Sequence, residues 1–261
     1  MSDNCMDYLV MIQARCGSTR LPNKIMMDLC GKPSLQRMIE RVRRSKMADE
    51  VMVVTSIEKE NLKVIKLCAD MGVRVFVGSE NDVLDRYYQA AKLLKPKYVV
   101  RLTADCPCID PILLDEALSQ LHNGTDYLGM ISQTFADGLD IQIIKYEALE
   151  ESWEKAVHSF EREHVTQYVI RRPDEFTLQD FISPVGDFGN HRWTIDEPED
   201  YEVVRRIFEH FIKDLGNEYF GYKDILEYMN AHPEIASINS MYARDEGLEK
   251  SIREDTIISK K

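Results

Sequence analysis

The chain has 261 residues, 44% of them hydrophobic and 30% charged, and carries a formal net charge of −12. That length suits one large α/β domain with a small appendage, and the acidic balance argues against a nucleic-acid partner. There is no apolar run of about 18 residues to span a membrane, and the first residues lack the basic and apolar regions of a secretory leader, so a cytoplasmic protein is expected.

The first apolar run, Tyr8–Gln13, reads as a buried strand and leads directly into Ala14-Arg15-Cys16-Gly17-Ser18-Thr19-Arg20-Leu21-Pro22-Asn23-Lys24. A turn of small residues lets backbone N–H groups converge on an anion, and Arg15, Arg20 and Lys24 can neutralise a polyphosphate. Residues 12–46 hold nine Lys/Arg against only Asp28 and Glu40. Cations gathered beside a Gly-Ser turn in an acidic chain point to a small polyanion, with nucleoside triphosphate the leading candidate.

Further strands are expected at Glu50–Thr55, Val73–Val77, Tyr98–Leu102, Thr125–Met130 and Asp140–Ile144. Between them lie amphipathic helices at Ser34–Lys46, Glu58–Met71, Asp82–Leu94 and Pro111–His122. Pro33 and Pro111 stand where helices start, and Gly72 where one stops. The alternation indicates βαβ crossovers and a mostly parallel mixed sheet in a three-layer α/β fold. Ligands in such folds sit beyond the carboxyl ends of strands. The Gln13–Lys24 loop and Thr103-Ala104-Asp105 both begin there, so they can share one crevice. Six cysteines include Cys106-Pro107-Cys108, but no second Cys/His pair completes a zinc site, and reduced thiols are expected.

From Gly189 the pattern changes. Asn190–Asp196 reads as a short strand ending on an acid, and Glu197-Pro198-Glu199-Asp200 opens a helix running to about Phe211, with carboxylates in its first turn. After residue 215 a short helical tail (Tyr222–Met229) and a charged end follow, giving a main domain over 1–215 and an appendage over 216–261.

The loop matches the signature Q-A-R-x-G-S-T-R-L-P-x-K and resembles the SpsF-like cytidylyltransferases. These belong to the CMP-sugar synthetase group, with the Kdo and acylneuraminate cytidylyltransferases, in the GT-A-like, Rossmann-like nucleotide-diphospho-sugar transferase fold. Other shared segments are Asp82–Tyr87, Arg101–Pro107, Gly138-Leu139-Asp140, Arg162–Thr166, Arg192–Asp200 and Arg244-Asp245-Glu246-Gly247 with Lys250-Ser251 and Asp255. Asp245 stands where that family usually has Asn.

The resemblance implies transfer of CMP from CTP to a small-molecule acceptor such as a sugar acid, with release of pyrophosphate, in surface polysaccharide or glycoconjugate assembly. It implies that Gln13, Ala14, Arg15, Gly17, Ser18, Thr19, Arg20, Lys24, Thr103 and Ala104 hold the nucleotide. Arg15, Lys24, Asp105 and Asp196 would carry catalysis, with Asp105 and Asp196 as the Mg²⁺ ligands. Each acid also suits a helix cap. Arg86 can reach the nucleotide base or the acceptor carboxylate, or pair with Asp82 one turn earlier. Asp140, Arg162, Glu163, His164 and His191 lie in segments that face the acceptor, and His164 can take a proton from an acceptor hydroxyl or simply hold a helix. Trp153, Phe160 and Tyr168 read as core or as the surface of a homodimer.

Two enzyme classes compete. A GT-A glycosyltransferase typically carries an Asp-x-Asp pair, whereas here one Asp stands in Ala104-Asp105-Cys106-Pro107. Sugar-1-phosphate nucleotidyltransferases carry a Gly-Gly-x-Gly-Thr-Arg-Leu loop, where this chain has Ala14-Arg15. A non-catalytic relative has no reason to keep Arg15, Lys24, Asp105 and Asp196 together.

Overall fold

Residues 6–258 are described by a computed structural model of the chain. In order, they form β1 (Tyr8–Gln13), a 3-10 turn (Lys24–Met26), a hairpin of β2 (Asp28–Leu29) and β3 (Lys32–Pro33), α1 (Ser34–Val42), β4 (Glu50–Ser56), a second 3-10 turn (Lys59–Asn61) leading into α2 (Leu62–Asp70), and β5 (Arg74–Gly78). Next come α3 (Val83–Lys92), β6 (Tyr98–Thr103), α4 (Pro111–Ser119), β7 (Tyr127–Gly129), β8 (Gln142–Lys145), α5 (Tyr146–Lys155), α6 (Ser159–Glu163), α7 (Gln167–Ile170) and β9 (Leu178–Asp180). The chain closes with α8 (Pro198–Phe208), which continues into a π turn (Glu209–Asp214), then α9 (Tyr222–Ala231), α10 (Pro233–Ala236) and α11 (Glu246–Arg253).

Seven strands make one sheet in the order β5-β4-β1-β6-β8-β7-β9. β1 is parallel to β4 on one side and to β6 on the other, and β8 runs antiparallel to both β6 and β7. The sheet is thus mixed and parallel at its centre, as expected. Along β1, Val10 and Ile12 enter the core shared with α1, α4, α8 and α9, while Leu9 and Met11 enter a second core with α3, α5 and α7. All four are fully buried, and each such side chain stabilises by about 1.5–3 kcal/mol. This two-sided burial explains why β1 is a continuous apolar run without alternation.

Local signals account for most boundaries. Asp110 caps α4 by accepting from the Ile112 amide at 2.8 Å, with Pro111 at the first helical position. Gly72 has φ +60° just past α2, where Val73 N–H donates to the Cys68 carbonyl at 2.8 Å. The helices after 215 pack on the main body: Phe220, Tyr222, Ile225, Met229 and Ile235 belong to the first core. Only from about Met241 does the chain run over the surface, and α11 buries no side chain.

The segment 190–196 is not a strand of the sheet. It makes one isolated bridge, Asp137 to Arg192, and is tied to two other loops by three backbone bonds, Asp137 N–H to the His191 carbonyl at 3.0 Å, Trp193 N–H to the Asp137 carbonyl at 2.6 Å and Ile195 N–H to the Asp105 carbonyl at 2.8 Å. Gly138 makes this crossing possible. Its φ is +107°, and a Cβ there would lie 2.5 Å from the Thr194 nitrogen and the Trp193 carbonyl carbon. The Gly138→Ala protein is expected to lose about 1–3 kcal/mol of stability, read as a lower denaturant midpoint; an unchanged midpoint would show that the crossing does not need glycine.

Candidate active site

Register places the site. Gln13 at the end of β1 pairs with Thr103 at the end of β6, and the Ala104 N–H donates to the Gln13 carbonyl at 2.9 Å. The two loops that leave these strands therefore start side by side, at the point where the chain turns to opposite sides of β1. They open into a cleft of about 780 Å³.

The first loop is anchored at its ends and free in its middle. Cys16 N–H donates to Asn61 Oδ1 at 2.8 Å, and Asn23 N–H to the Cys16 carbonyl at 3.3 Å. Asn23 adopts φ +60°, a left-handed conformation that Asn tolerates, and turns the chain into the Lys24 3-10 turn. Among the described residues, no protein acceptor meets the amides of Gly17, Ser18, Thr19 or Arg20. A Cβ on Gly17 would meet nothing within 4 Å, so the loop backbone faces open space. Free amides beside open space are a ready anion site.

Lys24 is the centre of the cleft. Its ammonium donates to Asp105 Oδ2 at 2.7 Å and to Asp196 Oδ1 at 2.5 Å. Burial works against the charge of Lys24, but the two carboxylates more than offset it and raise its pKa. Burial opposes the charge of Asp105 as well; the Lys24 ammonium and the Thr103 hydroxyl nevertheless hold its carboxyl well below the usual range. Arg20 bonds Asp196 at 3.1 Å and Glu197 at 2.9 Å, and Arg15 bonds Glu80 at 3.2 Å. All three loop cations are thus neutralised by carboxylates. The cleft is not a purely cationic cradle: Arg15, Arg20, Lys24, Arg101, Arg192 and Arg244 line it together with Asp105, Asp137, Asp140, Glu163, Asp196, Asp245 and Glu246.

Asp196 is aimed from behind. Asp200, fully buried in the first turn of α8, accepts from Arg192 Nε at 2.8 Å, from Asn239 at 2.9 Å and from the amides of Asp196 and Glu197 at 3.0 Å each. Arg192 also pairs with Asp196 at 3.1 Å and with Asp137. Asp137 is pushed up to about 7 by burial and the nearby Asp140, against the pull of Arg192 and Arg244. The residues of this support were not singled out from sequence, because a carboxylate in a first helical turn reads as a cap.

Most expected site residues line the cleft: Gln13, Arg15, Gly17, Ser18, Thr19, Arg20, Lys24, Thr103, Ala104, Asp105, Asp140, Glu163, His164 and Asp196. Four stand behind it. Ala14 is buried against the sheet, its amide donating to the Val54 carbonyl at 3.0 Å. His191 sits behind the crossing beside Trp193, where burial lowers its pKa. Arg162 is a structural clamp: Nε and Nη2 grip Asp82, at 3.0 and 2.7 Å, and Nη1 donates to the Trp153 carbonyl at 2.8 Å, which withdraws it from any acceptor. Since Asp82 is taken by Arg162, Arg86 has no partner one turn back. Its Nε and Nη1 are buried without a protein partner near Arg15, Arg101 and Glu80.

The local excess of cations has mostly another use. Arg41, buried in α1, donates to the carbonyls of Ile109 at 2.8 Å and Phe220 at 3.0 Å. Arg37 bonds the Leu29 and Cys30 carbonyls and Glu218; Arg43 and Arg44 likewise reach carbonyl groups. Trp153 stacks on Tyr88 at 4.3 Å and donates to Asp85 at 2.8 Å, while Phe160 and Tyr168 are core. The five described cysteines are free; Cys106 and Cys108 are buried, and burial raises both thiols, Cys108 to about 12. Cys5 lies outside the described residues.

The donor set suits one hard cation. Two carboxylates converge on a single position, and Mg²⁺ typically takes one or two carboxylates completed by phosphate oxygens and water. Among the described residues no cluster of three or more His, Cys, Asp or Glu side chains offers a closed protein cage.

Comparison with known proteins gives the family. The chain is 36% identical over 219 residues to the spore coat polysaccharide biosynthesis protein SpsF of Bacillus subtilis, a match covering 78% of this chain and 87% of SpsF. A solved cytidylyltransferase of Leptospira borgpetersenii superposes with a TM-score of 0.83 at 34% identity, over 91% of this chain and all of that one. A CMP:2-keto-3-deoxy-manno-octonic acid synthetase solved with CTP shares the fold, at a TM-score of 0.61 and 16% identity over 78% of this chain and 99% of that one. A family model described as cytidylyltransferase matches residues 9–228, most of the chain. The protein belongs to the cytidylyltransferase family.

Proposed function

We propose that this enzyme transfers CMP from CTP to a sugar-acid hydroxyl, with Mg²⁺ and with release of pyrophosphate. The observation that carries the reading is the Lys24 ammonium held between Asp105 and Asp196 beside a loop of unengaged amides. SpsF of Bacillus subtilis is a polysaccharide biosynthesis protein, and Kdo cytidylyltransferases such as that of Brucella ovis match 46% of this chain at 35% identity. These relatives support a sugar acid as the acceptor.

Displacement at the α-phosphorus develops charge on the reacting phosphate and on the departing pyrophosphate. The amides of Gly17, Ser18, Thr19 and Arg20 donate toward the triphosphate, and Arg15, Arg20 and Lys24 exchange their carboxylate partners for phosphate oxygens. The carboxylates so released, Asp105 and Asp196, hold the divalent cation. Mg²⁺, when bound there, lowers the charge on the α-phosphate and the leaving group. Asp200 and Arg192 keep Asp196 in place through this exchange. The polar residues farther along the cleft, among them Asp140, Gln142, Glu163 and His164, form the acceptor half. The homodimer expected from the resemblance belongs to the same proposal and is checked by the solution mass of the whole chain.

Because the loop cations and the two acids are paired with each other, nucleotide and metal should bind cooperatively. CTP binding measured by calorimetry is expected to tighten when Mg²⁺ is added and to weaken when it is chelated; equal affinity in both conditions would contradict the exchange. Lys24→Ala should weaken CTP binding about ten- to a hundredfold, the worth of a charge-assisted hydrogen bond. Asp105→Asn should lower pyrophosphate release, assayed with 3-deoxy-manno-octulosonate and related sugar acids, by about a hundredfold or more with the fold intact. Near-normal release by Asp105→Asn would remove it from the metal site.

A further inference from the structure

The far wall of the cleft is supplied by the last helix, and one hydroxyl there sets the state of a histidine. His164 lines the cleft at the end of α6, and its Nε2 lies 3.0 Å from Ser251 Oγ on α11. The same oxygen lies 2.9 Å from Glu163 Oε2 and 2.9 Å from the Gly247 carbonyl. A serine hydroxyl has one hydrogen to give and two lone pairs to receive. Both Glu163 and Gly247 present acceptors, so the Ser251 hydrogen goes to them, the carboxylate being the stronger acceptor. His164 must then be the donor, with its hydrogen on Nε2. Nδ1 meets no partner among the described residues and is not one of their buried unpartnered atoms, so it is accessible on a residue that lines the cleft.

We propose that Ser251 is a positioning residue that fixes His164 with Nε2 protonated, leaving Nδ1 to accept the proton of the attacking acceptor hydroxyl. The inference rests on the cytidylyl-transfer reading above. In the step, the acceptor O–H hydrogen passes to Nδ1 and its oxygen bonds to the α-phosphorus. The bond from that phosphorus to the bridging oxygen breaks, and its electron pair leaves on pyrophosphate. The imidazolium that forms keeps its Nε2 hydrogen on Ser251, whose own hydrogen faces the Glu163 carboxylate. This is the logic of a base held in one tautomer by a partner on its far nitrogen.

The groups around the ring keep it neutral in the free enzyme, at the cost of weakening it as a base. Burial, and then the cations Arg101 and Arg15, lower the His164 pKa to about 4 against the opposing pull of Glu163, so the free enzyme holds the neutral, proton-accepting form at neutral pH. A triphosphate lying along Arg15 offsets part of that positive charge and strengthens the base when the nucleotide is bound.

The test uses the full chain with CTP bound. Long-range ¹⁵N–¹H correlation of the His164 ring should show a single Nε2–H tautomer in the wild type, a mixed or Nδ1–H ring in Ser251→Ala, and recovery in Ser251→Thr. α11 buries no side chain, so these changes leave the cores untouched. With 3-deoxy-manno-octulosonate or N-acetylneuraminate as acceptor, Ser251→Ala should lose about tenfold in kcat with an unchanged KM for CTP. A Ser251→Ala ring that keeps the Nε2–H tautomer, or a loss confined to KM for CTP, would overturn the assignment. Absence of turnover with either acid in the wild type would count against the acceptor reading; the tautomer measurement decides the Ser251 contact independently.

Discussion

One ammonium group ties the molecule together at its working end. Lys24 comes from the loop after β1, Asp105 from the loop after β6 and Asp196 from a segment ninety residues later that belongs to no strand of the sheet. Three charged groups drawn out of water are stable only when each finds its partner. Without Lys24, Asp105 would be left as a partly buried and uncompensated charge, whereas Asp196 would keep Arg20 and Arg192. The cluster is therefore balanced without ligand, and in the proposed exchange a polyphosphate and a metal ion together replace the attractions they break.

The scaffold explains how so few residues can be held so closely. β1 is buried on both faces and paired on both edges, so the loop that leaves it starts from the most immobile part of the fold. Behind Asp196, Asp200 receives hydrogen bonds from Arg192, Asn239 and two amides with no exposure to solvent. Such a carboxylate is a template onto which the surrounding chain folds. The close pass of Gly138 under Trp193 and Thr194 completes it by removing the only side chain that would stand in the way.

Much of this was legible beforehand because periodicity and strand-end position are local properties. The buried run at Tyr8–Gln13, the helix starts at Pro33 and Pro111 and the meeting of the two strand-end loops all follow from patterns within a dozen residues. What depended on long-range packing was not legible. The cations of α1 appear in sequence as an electrostatic field, yet Arg37 and Arg41 serve as multi-donor ties to carbonyl groups, a use that charge counting cannot distinguish from anion binding. Likewise the competition for Asp82 between Arg86 and Arg162 is settled by the approach of α6 to α3, across 80 positions of sequence. The short strand read at 190–196 has the composition of a strand, but backbone bonds to two separate loops take the place of a ladder.

The surface course of the last residues has its own consequence. From Ala243 to Leu248 the chain contributes a wall to the cleft, yet α11 buries no side chain, and the residues flanking it are held by polar contacts, Arg244 to Asp140, Gln133 to Asp245 and His158 to Asp255. Elements with few buried apolar contacts open at a small fraction of the global unfolding free energy. The amides of 246–253 thus exchange with solvent hydrogen long before those of β1, and the wall can melt and re-form while the nucleotide half stays folded. Release of a bulky product then needs only this local opening, with the sheet itself undisturbed.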